Sequence, residues 1–220
     1  MYLRNPLVYL LKTGKDCHMP EIISIEALGE ILNLDRAGFR QWLLDNHDTA
    51  KECRILVSNG DMPAKISYLD AVEEALCFGW IDSTHHRIEG LGSAQRFSPR
   101  KPTSRFTRLN LARCERLESL GLMTDAGRKV MPKKVYRPDR YVLKRIRDDP
   151  ELSEKITSFP KLYVEIRIDN IQVVRGTDPK LYKLRLEKFI DSIREGQMYG
   201  KWDDDGRLPH EPLFTIPPKQ

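Results

Sequence analysis

At 220 residues, 40% hydrophobic and 31% charged, the chain can bury one sizeable core, or one core with a smaller satellite, and falls outside the class that stays disordered. The formal net charge of +5 is concentrated, because residues 96 to 116 hold seven Arg or Lys against one acid and leave the rest near neutral. No apolar run nears the roughly 20 residues of a membrane helix, the apolar run after Arg4 is too short for a signal-peptide core, and four scattered cysteines without a Cys-x-x-Cys pair support neither zinc nor a redox motif, so a cytoplasmic chain with reduced thiols, no metal and no cofactor is expected.

In chain order, "SIEALGEILN" places Ile25, Leu28, Ile31 and Leu32 at helical spacing behind Ser24, a good N-cap. "DRAGFRQWLLDNH" repeats the pattern with Asp35 as cap and Phe39, Trp42 and Leu43 on one face. The period then changes at Ile55 and Val57, which read as a short strand before the turn chemistry of Asn59-Gly60. Ser67 and Asp70 form a capping-box variant for a helix with Leu69, Val72, Ala75 and Leu76 on one face, stopping at Phe78 because Gly79 follows.

Residues 80 to 100 read as a hairpin around "GLGS". Period two puts Trp80, Asp82, Thr84 and His86 on one face and Ile81, Ser83, His85 and Arg87 on the other. His85 and His86 therefore point apart and make no paired metal site. A helix through "TRLNLARCERLESLG" places Leu109, Ala112, Leu117 and Leu120 together, and a short one begins at Thr124 and ends at Pro132. Cys77, inside an apolar helix run, reads as core packing rather than as a nucleophile.

The C-terminal part has two Asp-Pro helix starts, Asp149-Pro150 and Asp178-Pro179. The second opens a stripe of Tyr182, Leu186, Phe189, Ile190 and Ile193 closed by Gly196. Residues 162–174 fit strand and helix equally. "WDDDGR" lacks the ligand pattern of an EF-hand and reads as a polar turn. The expected fold is thus a mainly helical α+β protein with a small antiparallel sheet from residues near 54 to 58, 80 to 88 and 94 to 98. Its parts are an α+β region over 1–132, a helical segment over 138–200, and an extended, weakly structured tail over 201–220.

The stretches "EEALCFGWIDS", "QRFSPRKPTSRFTRLN" and "ERLESLGLMTDAGR" resemble the bacterial YdeI/OmpD-associated family, also labelled bacteriocin-protection proteins. The resemblance spans most of residues 36 to 200. Its recognisable positions fall on Gly79 to Asp82, Pro99-Arg100, Ser104 and Asn110, with Phe106-Thr107-Arg108 where the family commonly has Trp-Ser-Lys. The family name implies bacteriocin or stress protection.

Chemically, Trp80, Asp82, Arg96, Arg100, Ser104, Arg108 and Asn110 are the candidate ligand-binding set. The arginines supply donors, Ser104 and Asn110 neutral hydrogen bonds, and Trp80 a flat wall. Asp82 is expected to accept a guanidinium from Arg96 or Arg100, an arrangement equally suited to pinning the hairpin and to ordering a pocket. No catalytic residue is assigned, since Asp82 has no partner carboxylate. A non-catalytic binding or stress-protection protein holding a small anion or an acidic protein segment ranks first. A nucleic-acid binder using residues 96–116 with Trp80, Phe97 and Phe106 as stacking surfaces is the alternative, and an enzyme of unknown reaction ranks third.

Overall fold

The computed structural model describes residues 29–58, 64–88, 92–133 and 136–218. The expected cap at Ser24, the Asn59-Gly60 turn, Cys17 and part of the "GLGS" loop lie outside them. Of the helix expected from Ser24, the described residues 29–33 are not helical: Leu32 bridges Ile55 in parallel instead, with its amide on Arg54 O at 2.8 Å and its carbonyl accepting from Leu56 N.

Helix α1 (Arg36–Asn46) is capped by Asp35, whose carboxylate accepts from Gly38 N, and buries Phe39 and Leu43. Strands β1 (Cys53–Ser58) and β2 (Ile66–Ser67) precede α2 (Tyr68–Cys77), which is capped by Ser67. Strands β3 (Trp80–Ile88) and β4 (Gly92–Pro99) form the hairpin, and the sheet order is β2-β1-β4-β3. β1 and β3 run antiparallel to β4, but β2 pairs parallel with β1 through Val57–Ile66 and Ser58–Ser67. The sheet is therefore mixed, which corrects the expected antiparallel one. A two-residue strand running straight into a helix cap is too short to show any alternation.

A second correction concerns the faces of β3. Asp82 opposes Phe97 and His85 opposes Gln95, so one extra residue sits between them. This bulge inverts the alternation. Trp80, Asp82 and His85 share the face of Phe97, whereas His86 joins Ala94 on the other. The buried Gln95 stabilises the bulge, its amide donating to the carbonyls of Ser83 and Thr84 at 3.3 Å.

Helices α3 (Arg108–Ser119) and α4 (Asp125–Val130) follow, then α5 (Arg140–Arg147), α6 (Pro150–Lys155), α7 (Lys161–Gln172) and α8 (Pro179–Glu195). α3 lies between two apolar clusters: Ala112 belongs with residues of α5 to α8, and Cys114 and Leu117 with α1, α2 and the sheet. Leu120, expected on its apolar face, lies past the helix end and is 53% exposed. Residues 161–172 are helical, and Tyr163, Val164, Ile166, Ile168 and Ile171 are all buried. A helix covered on most sides shows no single stripe, which is why both periods fitted.

The tail is packed rather than weakly structured. Trp202, Leu208 and Phe214 are buried, Leu213 bridges Pro160, and Phe214 N donates to Phe159 O at 2.9 Å. The prolines remove backbone donors without preventing large apolar side chains between them from reaching the core.

Candidate functional site

The Gly-Trp and Pro-Arg pairs, 20 residues apart in sequence, meet at the open end of the hairpin. Gly79, at φ +75°, turns the chain from α2 into β3, Trp80 pairs with Pro99, and Arg100 N donates to Gly79 O at 2.9 Å. Helix α4 docks against this turn through Thr124, whose hydroxyl donates to Cys77 O at 2.6 Å. Between turn, strand ends and α4 lies a pocket of about 380 Å³ with Phe78, Trp80, Pro99, Ala126 and Val130 as carbon-rich walls. Arg100, Lys129, His47, Asp48 and Asp125 bring the charged or polar groups.

Arg100 is 7% exposed and stacks its guanidinium 3.8 Å from the Phe106 ring centroid. Nη1 donates to Arg105 O at 3.1 Å, while Nε and Nη2 are buried without a partner. No carboxylate lies within ion-pair distance of it among the described residues. Burial pulls its pKa down, with Cys114 and Asp82 acting weakly the other way. Lys129, exposed on α4, likewise has no ion pair among the described residues, whereas Asp125 is engaged by Arg128 at 2.9 Å.

The structure divides the sequence-derived set. Trp80 and Arg100 line this pocket. Asp82 instead accepts the Tyr68 hydroxyl at 2.8 Å and forms no ion pair with Arg96 or Arg100. Arg96 lies on the other face of the sheet with Glu52, Nε at 3.0 Å. Ser104 closes a turn by accepting from Lys101 N, Arg108 pairs with Glu165 at 2.6 Å, and Asn110 accepts from Arg113 Nη1 at 2.8 Å. The remaining arginines of the basic stretch also find acids: Arg105 with Asp169, Arg113 with Asp204, Arg116 with Glu73. Trp80 and Phe97 are 1% and 0% exposed, so neither offers a face for base stacking. The Trp80 N–H is spent on His47 O.

Sequence reasoning missed three groups. Lys129 and His47 carry no local signal of a site. Arg113 and Asp204 form a buried two-bond pair, Nε to Oδ2 at 2.6 Å and Nη2 to Oδ1 at 2.7 Å, which anchors the tail turn to α3. Glu73 and Glu74 are buried on α2 and gather Arg36, Arg40, Arg116 and Arg207. Two adjacent acids inside the apolar run "AVEEALC" were the available signal, because buried acids require partners. The thiols of Cys53, Cys77 and Cys114 are pushed up by burial to about 12, 11 and 12, which makes them poor nucleophiles.

A family model described as a domain of unknown function (DUF8412) matches residues 31–130, a span that contains every residue lining the pocket. No curated protein and no solved structure matches the chain. The likeness to the YdeI/OmpD-associated family has no counterpart among these matches. No helix among the described residues is long and apolar enough to cross a membrane.

Proposed function

We infer that the chain is a binding protein for a small anionic ligand, held at the open end of the hairpin. The observation that carries this reading is Arg100, a buried cation with no ion-paired acid among the described residues and two covered, unpartnered nitrogens, in a residue that lines a pocket also presenting Lys129. A unit charge about 4 Å from another at an effective dielectric near 20 interacts with roughly 4 kcal/mol, so an anion that reaches the guanidinium at that distance offsets the cost of keeping that charge buried. The three buried thiols fit a reducing, cytoplasmic setting. A part in stress or bacteriocin protection rests on the motif resemblance alone.

The test is a thermal-shift series with small organic and inorganic anions against chloride at matched ionic strength. At least one anion is expected to raise the melting temperature of the wild type and to lose that effect in Lys129→Glu. Equal shifts for every salt in both proteins would refute the reading.

A further inference from the structure

We propose that the ligand of this pocket is a small carboxylate with an apolar body, an aromatic or branched carboxylic acid, rather than a phosphate or a polyol. The proposal rests on the anion-binding reading above. Its basis is the distribution of polar atoms. The Trp80 N–H is committed to His47 O and the Gly79 carbonyl to Arg100 N, so the inner wall offers mainly carbon. A polyol would bury several hydroxyls there without partners, each costing roughly 1 to 3 kcal/mol.

A phosphate binds best where several donors converge, as at a backbone nest or a long helix N-terminus. Here α4 is one and a half turns long, and its Gly127 amide is already bonded to Thr124. What remains is one guanidinium edge, one ammonium and the His47 ring, whose Nδ1 is already engaged by Leu43 O. Nε and Nη2 of Arg100 form the edge that matches the two oxygens of a carboxylate. That edge is covered in the present arrangement and carries no hydrogen bond, and presenting it to the pocket exchanges the Phe106 stack and the Nη1 bond to Arg105 O for two bonds to the carboxylate. A volume of about 380 Å³ suits a single ring. Asp48, exposed at the rim, opposes the ligand and sets the sign of one variant below.

Isothermal titration of the full chain with benzoate, inorganic phosphate and benzyl alcohol at fixed ionic strength tests the proposal. Benzoate is expected to bind at least about tenfold more tightly than either alternative. Lys129→Ala is expected to weaken benzoate by about threefold or more and Asp48→Asn to tighten it, the direction that Coulomb attraction requires. Both side chains are exposed, so neither variant depends on refolding a core. Phosphate binding as tightly as benzoate would overturn the carboxylate class and leave the anion-binding reading standing. Benzyl alcohol binding as tightly, or no anion binding at all, would overturn both. Benzoate binding that ignores both variants would place it elsewhere and overturn the proposal.

Discussion

Tyr68 donates its hydroxyl to Asp82 Oδ2 at 2.8 Å, joining the first residue of α2 to the third residue of β3. The carboxylate that sequence reasoning gave to arginines therefore belongs to a helix–sheet contact. Burial, and after it the Asp82 charge, push the Tyr68 hydroxyl well above its usual range, so it stays a donor at neutral pH. Tyr68→Phe is expected to destabilise by about 1 to 2 kcal/mol, because a charged acceptor loses its partner. Asp82→Asn should cost less than Asp82→Ala, since the amide oxygen still accepts. In double-mutant cycles read from urea midpoints, the coupling of Tyr68 to Asp82 should exceed that of Arg100 to Asp82. The reverse order would restore an ion pair.

The Arg113–Asp204 pair predicts a larger effect. Both side chains are almost fully covered, at 9% and 4% exposure. Asp204 and Asp205 occupy left-handed backbone, at φ 52° and 56°, ahead of Gly206. Asp204→Asn tolerates that backbone and keeps the shape, so it isolates the charge. The loss should be about 3 to 5 kcal/mol, as a buried guanidinium is left unpaired. Hydrogen exchange at residues 202–208 should accelerate more than exchange in α2. A cost below about 1 kcal/mol would mean that the apolar anchors Trp202 and Leu208 hold the turn without the pair.

Acid should unfold the protein through depressed carboxylates. Burial alone would raise Asp70, but the Ser67 hydroxyl and the charges of Arg207 and Arg36 outweigh it and hold the carboxyl below its usual range. Asp149 is held low by the Leu152 amide and Arg194, and Glu52 by Arg96. A lowered folded pKa gives stability that is complete above the unfolded value of about 4 and is lost as pH falls through the folded value. Calorimetry should show a melting temperature nearly flat from about pH 7 to pH 5 and falling below about pH 4. Asp70→Asn should make that fall shallower while lowering stability at neutral pH.

The contrast between what was legible and what was not follows the range of the interactions. Caps at Asp35, Ser67, Thr124, Asp149 and Asp178 are local chemistry, since each side chain bonds an amide three residues on, and they mark where α1, α2, α4, α6 and α8 start. Gly79 and the Pro-Arg pair were visible as motifs, and the hairpin brings them together. The bulge after Asp82 was not legible, because its stabilising group is Gln95 on the other strand. Nor were the partners of the basic stretch: Glu52, Asp169 and Asp204 lie 44, 64 and 91 residues from Arg96, Arg105 and Arg113. A density of positive charge in sequence says nothing about acids delivered from elsewhere in the fold.

The pocket's dependence on α4 gives the last prediction. A Cβ on Gly127 would sit 2.9 Å from Leu76 O and closer still to the Cys77 carbonyl, both backbone atoms that cannot swing aside. Helix propensity alone favours Gly127→Ala by about 1 kcal/mol, so destabilisation would show that the close approach of α4 to the end of α2 outweighs it. Relief requires α4 to lift, and Ala126, Lys129 and Val130 would move with it. Gly127→Ala is therefore expected to lower the melting temperature and weaken any ligand bound in the pocket. Gly176→Ala, where a new Cβ meets open space at ordinary φ, should be neutral or slightly stabilising and leave binding unchanged. Thermal melts and ligand titrations on the two variants separate the outcomes: if Gly127→Ala behaves like Gly176→Ala, α4 does not need that contact to form the wall.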